Sequence, residues 1–311
     1  MAEFYYREAL KLGQRDYRDR VSKGESPCLP VLDDFIAPER SAAGVDLGLV
    51  QIPTEFVVGV KSRGRVNAFA SNFMPILEEK TEFAAKWEAL SQAHMTEGIR
   101  DPIKAYEYMN RFYVEEGNKR ASVLKYFGAV SIPAQVIRVL PERNGEKETE
   151  IYYEFVSFYK YSKINFIEFS KKGSYLALQQ ALGKKPDEVW TVEERRHFAA
   201  TYHFFGKAYA ASGGKKLSST VGDAMLSYIT VYGYHELSNA GAAEIRKNLS
   251  KMWEEVALQQ EEAPIELKLN PAEEKKPGLL SAVLPTGTAV RKVAFVYDKS
   301  PEVSGWTLGH E

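Results

Sequence analysis

Six consecutive residues, Glu115-Glu116-Gly117-Asn118-Lys119-Arg120, set two acids and two bases around one glycine. They lie inside a run, 111–139, that reads as strand, tight turn, helix, turn and strand. A glycine between a strand and a helix takes a backbone conformation that a side chain resists. The turn would then aim the N–H groups of residues 118–121 at one point, and a helix N-terminus with unbonded amides is a ready anion site. Lys119 and Arg120 add cationic donors, and a guanidinium grips phosphate through two parallel hydrogen bonds. Consecutive strand residues face opposite sides. One of Glu115 and Glu116 is therefore expected to face the pocket as a metal-bridging or proton-accepting carboxylate, with the other solvated or paired. Taken without context, the same residues make a solvated turn whose charges neutralise one another. Lys61-Ser62-Arg63-Gly64-Arg65 is the second basic element, on a loop expected to reach the same pocket.

The elements that would position these residues follow from periodicity and punctuation. Residues 3–22 carry an imperfect apolar stripe (Phe4, Ala9, Leu10, Leu12, Tyr17, Val21) and read as a helix ended by Gly24, docking on the protein rather than on a membrane. Residues 26–50 read as loop, with Pro27, Pro30 and Pro38. Residues 54–60 read as a short strand. Phe83, Trp87, Leu90 and His94 recur at helical spacing over 81–98, and Gly98 closes that helix. Residues 101–116 alternate as a hairpin turning near Met109-Asn110. A short helix over 120–127 and a Val/Ile-rich strand over 134–139 follow. Beyond the charged loop 141–150, residues 151–257 read as mostly helical and rich in aromatics, a spacing that belongs to a core rather than a ligand cage. Ser219 or Thr220 is placed to cap the helix beginning near Val221.

The chain has 311 residues, 44% hydrophobic and 27% charged, enough for about two domains. A net charge of −1 gives no global field toward nucleic acid or anionic membrane, so any polyanion site is a local patch. The single cysteine, Cys28, excludes an intramolecular disulfide, and one Cys with five His argues against structural zinc. His94, His197, His203, His235 and His310 are scattered; His197 and His203 fall on nearly opposite faces of one helix. No run is long enough to span a membrane and the N-terminus has early acids without an apolar stretch, so the expectation is a cytoplasmic protein.

One ordered set within about 60 residues resembles the ParB/sulfiredoxin-like fold, an α+β architecture: a helix, Gly98, Pro102-Ile103 opening a hairpin, Gly117 and Arg120 at the turn, then Gly128 and Ile132-Pro133. The resemblance covers roughly 50–140. It implies a nucleotide triphosphate site in which Gly117, Asn118, Lys119 and Arg120 hold phosphate, with Arg63, Arg65, Arg100 and Pro102 contributing. It implies Mg²⁺ accompanying the nucleotide, but no dedicated metal ligands. Sulfiredoxins carry a nucleophilic cysteine after the glycine where this chain has Asn118, and an amide cannot replace a thiolate there, which excludes that activity. Other activities within the fold stay open: DNA binding or nuclease action, and phosphotransfer or NTP hydrolysis with Glu115 or Glu116 as catalytic base. A basic stripe and a clear helix-turn-helix are missing, Leu176–Trp190 being the one arguable stretch.

Residues 291–311, with a strand ending at Asp298 and then Gly305, Trp306 and His310, resemble the opening of the basic membrane protein family of nucleoside-binding domains. The expected organisation is an N-terminal helix and loop (1–49), the ParB/sulfiredoxin-like domain (50–141), an α-helical domain (150–258), a proline-punctuated linker (259–290) and the start of a truncated ligand-binding domain (291–311). The function this implies is a cytoplasmic nucleotide-binding regulatory or sensor module of a nucleoside-binding fusion protein, with a nucleotide or nucleoside as ligand. DNA as a partner and a homo-oligomeric state stay open.

Overall fold

The computed structural model describes residues 3–214 and 219–261. The expected linker beyond 261 and the expected binding-domain start at 291–311 lie outside the described residues. The chain is α+β, and it divides into two compact units between Asn144 and Gly145.

The first unit is built on a five-stranded mixed sheet in the order β1-β5-β3-β4-β2: β1 Val45–Pro53, β2 Val57–Val60, β3 Ile103–Tyr108, β4 Arg111–Glu116 and β5 Ser131–Arg138. The hairpin β3–β4 turns at Met109-Asn110, both at positive φ (51° and 58°), the two-residue turn whose twist matches paired strands. β3 is parallel to β5, β2 is parallel to β4, and β1 runs antiparallel to β5. One face buries Ile103, Ala105, Phe112, Val114, Ile132 and Ala134 against Ala121 and Leu124 of α4, Asn118–Tyr126. The other side of α4 meets two further helices, α1 Glu3–Ser22 and α3 Glu82–Thr96, around Tyr6, Ala9, Trp87 and Val123. α1 thus docks on the protein, as its stripe suggests.

Two buried hydrogen bonds fix this helical layer. Trp87 Nε1 donates to Ser122 Oγ at 2.8 Å, tying α3 to α4, and Glu88 accepts from the Tyr6 amide at 2.9 Å, in the first turn of α1. Such bonds contribute about 1 kcal/mol each, but breaking one strands a buried partner and costs more.

Most expected elements are present with edges moved by a few residues: helices at Glu82–Thr96 and Asn118–Tyr126, and a final strand beginning at Ser131. The loop expected over 26–50 needs correction, because β1 begins at Val45. Gly48 (φ +69°) and the register slip between Asp46 and Gly48 interrupt the alternation that announces a strand. Residues 54–56 form a 3-10 turn, leaving only Val57–Val60 as strand. A short helix α2, Pro38–Ala42, occupies part of the same region.

The second unit holds α5 Lys147–Ser162, α6 Ser174–Ala181, α7 Val192–Ala211, α8 Val221–Tyr232, α9 Tyr234–Asn239 and α10 Ala242–Glu261. Phe158, Tyr175, Trp190, Phe198, Phe205 and Tyr228 are all nearly or fully buried, so the aromatic stripe is a core. Thr220 caps α8 in a reciprocal capping box with Asp223, whose carboxylate also accepts from the Ser170 amide. α6 and α7 are separated by the whole of 182–191, too far for the tight turn of a helix-turn-helix. Among the described residues no helix is long and apolar enough to cross a membrane.

The core face of the sheet also encloses an ion pair. Glu107 on β3 faces Arg138 on β5 in register, both nearly inaccessible, and Arg138 Nε donates to Glu107 Oε2. The other carboxylate oxygen accepts from the Asn110 amide at 2.8 Å and so braces the hairpin turn. Replacing Glu107 by Ala is expected to cost about 3–5 kcal/mol in urea unfolding, as for other broken buried pairs. Glu107→Gln keeps an acceptor for Asn110 and should lose measurably less.

Candidate functional site

Strand directions decide what can meet at the turn. β2 and β4 are parallel, so the loops after both leave the sheet at one end. β3 runs against β4, which brings Arg100, Asp101 and Pro102, just before β3, to that same end. The Lys61 amide donates to Val114 O at 2.9 Å, so the basic loop departs beside the β4 terminus. Sequence order scatters these pieces over 60 positions; the sheet collects them.

Gly117 is the N-cap of α4 at φ 96°, ψ 23°, and no side chain caps the helix. A Cβ there would lie 2.7 Å from Ile103 Cγ2, and Ile103 is fully buried. Glycine is required on both counts. The Ala121 amide donates to Gly117 O at 2.9 Å. That corrects the expectation of four available amides: residues 118–120 are the ones left without an intrahelical acceptor. Asn118 Oδ1 is enclosed and has no partner among the described residues.

Arg120 reaches back across the turn. Its guanidinium donates to Pro102 O at 2.6 Å and lies 4.0 Å from Glu116 Oε1. The side chain retains only 21% of its accessible surface, so it is held against the start of β3 rather than extended into water. Lys119 lies over the ring of Phe83, 4.7 Å from its centre. Arg100 and Pro102 are both exposed at the sheet end.

The two acids do not alternate. The β3–β4 register runs from Ala105 opposite Val114 to Lys104 opposite Glu116, leaving Glu115 as the extra residue of a bulge. This overturns the expectation of opposite faces, because a bulge breaks the two-residue period. Both carboxylates are exposed, and both act on Lys104. Lys104 Nζ contacts Glu116 Oε2 at 2.8 Å. That hydrogen bond, reinforced by the Arg120 charge, holds the Glu116 carboxyl below the usual range and raises the Lys104 ammonium above its own. Lys104 went unnoticed in the sequence, since an isolated lysine on a strand has no signature.

Two cations of the Lys61–Arg65 loop are also paired. Arg63 makes a two-point pair with Asp34, at 3.0 and 2.9 Å, and Lys61 pairs with Asp33. Both acids come from the 3-10 turn Leu32–Asp34. Arg63 is therefore already engaged by a carboxylate. Arg65 lies in the 3-10 segment Arg63–Ala68, and its side chain lies outside what is described.

Among the described residues no group of three His, Cys, Asp or Glu stands ready for a metal. With Glu116 committed to Lys104, the donor set does not fit a metal held by the protein alone. No protein-family model matches this chain, and no curated protein matches it.

The arrangement can receive an oxyanion: amides of an uncapped helix start, a pinned guanidinium and a nearby ammonium, with one carboxylate outside the ion pairs described. Its geometry depends on Gly117. Gly117→Ala is expected to lower stability by about 2–3 kcal/mol, from the left-handed backbone and the clash with Ile103 together. Chemical denaturation measures this, and a loss under about 0.5 kcal/mol would mean that the turn relaxes freely.

Proposed function

We propose that residues 50–141 form a ParB/sulfiredoxin-like module that binds a nucleotide through its phosphates at the Gly117–Arg120 turn and serves as a regulatory sensor rather than a catalyst. The observation that carries this reading is the uncapped start of α4 behind a left-handed glycine, with Arg120 fixed beside it on the Pro102 carbonyl. In this reading phosphate oxygens accept from the amides of 118–120, and Arg120 exchanges its distant contact with Glu116 for a charge-assisted hydrogen bond to the ligand. Glu116 stays with Lys104. Helix-start amides and cations favour an anion at this place without any change in backbone.

A binding role is favoured over turnover by the residue types. Asn118 stands where a nucleophile would be needed, and Glu116 is held as a salt-bridged carboxylate, a poor proton acceptor.

Thermal unfolding with ATP, GTP and CTP, each with and without Mg²⁺, tests the proposal. A ligand at about 100 times its Kd adds roughly 2.7 kcal/mol, a shift of several degrees. Arg120→Ala should weaken binding at least about tenfold. Glu116→Gln, which removes a competing negative charge, should tighten it. Absence of any shift across the panel, or full affinity in Arg120→Ala, would overturn the assignment. Turnover that disappears in Glu115→Gln would replace it with phosphotransfer.

A further inference from the structure

Lys125, in the last turn of α4, stands apart from the exposed lysines among the described residues. The residue is half-buried, and its Nζ donates one hydrogen bond, 2.8 Å to the carbonyl of Thr54, and lies 5.4 Å from the centre of the fully buried Phe73 ring. An ammonium has three donors. Among the described residues no carboxylate lies within ion-pair distance of it, and the charge acting on it comes from Glu55, in the same 3-10 turn as Thr54. Thr54 itself is 8% exposed, and its hydroxyl has no partner. A cation with a single neutral partner thus sits beside an unsatisfied hydroxyl and an aromatic face, a poor match for a charge removed from water.

An amide would match all three neighbours. Its N–H keeps the bond to the Thr54 carbonyl, its C=O offers an acceptor for the Thr54 hydroxyl, and a methyl group meets the Phe73 ring. We propose that Lys125 is a site of Nε-acetylation by small acyl phosphates, and that the acetylated side chain fits its surroundings better than the ammonium does. The lone pair of the neutral amine attacks the acyl carbon and forms the C–N bond. The C–O bond to phosphate breaks, inorganic phosphate leaves with that electron pair, and the amine proton passes to solvent.

Burial pushes the Lys125 pKa down to about 8, against the opposing pull of Glu55. At pH 7.5 roughly a quarter of the side chain is then neutral amine, compared with about a thousandth for an ordinary lysine. Desolvated lysines gain nucleophilicity in this way. The site is independent of nucleotide binding at the turn.

The test treats the full chain with acetyl phosphate at pH 7.5 and follows each lysine by peptide mass spectrometry. Lys125 is expected to be acetylated at least about tenfold faster than the exposed Lys23 and Lys185, with a rate that levels off above pH 8 while theirs keep rising. Protein carrying the modification should melt no lower than untreated protein, whereas identically treated Lys125→Arg shows no such adduct at 125. Acetylation of Lys125 at or below the rate of those two lysines, or a lower melting temperature once it is acetylated, would overturn the proposal. The rate comparison uses wild-type protein alone, so it stands even if the variant folds poorly.

Discussion

Ile103 occupies the space where any other residue at 117 would carry its Cβ. This contact sets the distance between the first residue of β3 and the last turn before α4, so strand and helix close on each other with nothing between them. The left-handed backbone at Gly117 then turns the chain sharply enough for α4 to lie over the sheet, with Ala121 and Leu124 on the strands and Val123 toward α1 and α3. Arg120 and the Pro102 carbonyl meet because the same closure brings them together. A hydrogen bond between an arginine and a carbonyl at the edge of water is worth little by itself. It matters here because it pins a long side chain that would otherwise sample many rotamers.

Electrostatic neutralisation is the second theme. Lys104 with Glu116, Lys61 with Asp33 and Arg63 with Asp34 are exposed or half-exposed pairs, each contributing at most about 1 kcal/mol to stability. Their effect on chemistry is larger than their effect on folding. They decide which cations are already engaged and keep Glu116 ionised. With Lys61, Arg63 and Lys104 paired, the charges at the sheet end outside these pairs are fewer than a count of charges in the sequence suggests.

Much of this is legible in the sequence. The helix over 82–96, the Met109-Asn110 hairpin, the strand–glycine–helix turn and the aromatic core of the second unit all announce themselves by short-range patterns that physics enforces locally. The losses have particular causes. β1 hid because Gly48 and a bulge break its alternation. The expectation of opposite faces for the two glutamates fails because a bulge is a property of two strands and cannot be seen in one. The partners of Arg63 came from Asp34, almost thirty positions earlier, in a stretch that reads as loop. Lys125 looks like any other lysine until Thr54 and Phe73 are folded around it.

The short run from Pro30 to Asp34 has a further consequence. Pro30 O accepts from the Val60 amide and the Asp33 amide donates to Lys61 O, so these residues lie along the outer side of β2 like a partial sixth strand. The next carbonyl, Val31 O, accepts from the Asp34 amide, so the segment curls into the 3-10 turn instead of presenting an open ladder, and that turn covers the flank. Growth of the sheet by intermolecular stacking is blocked on that side, which protects a valine-rich strand that would otherwise be a template for fibrils.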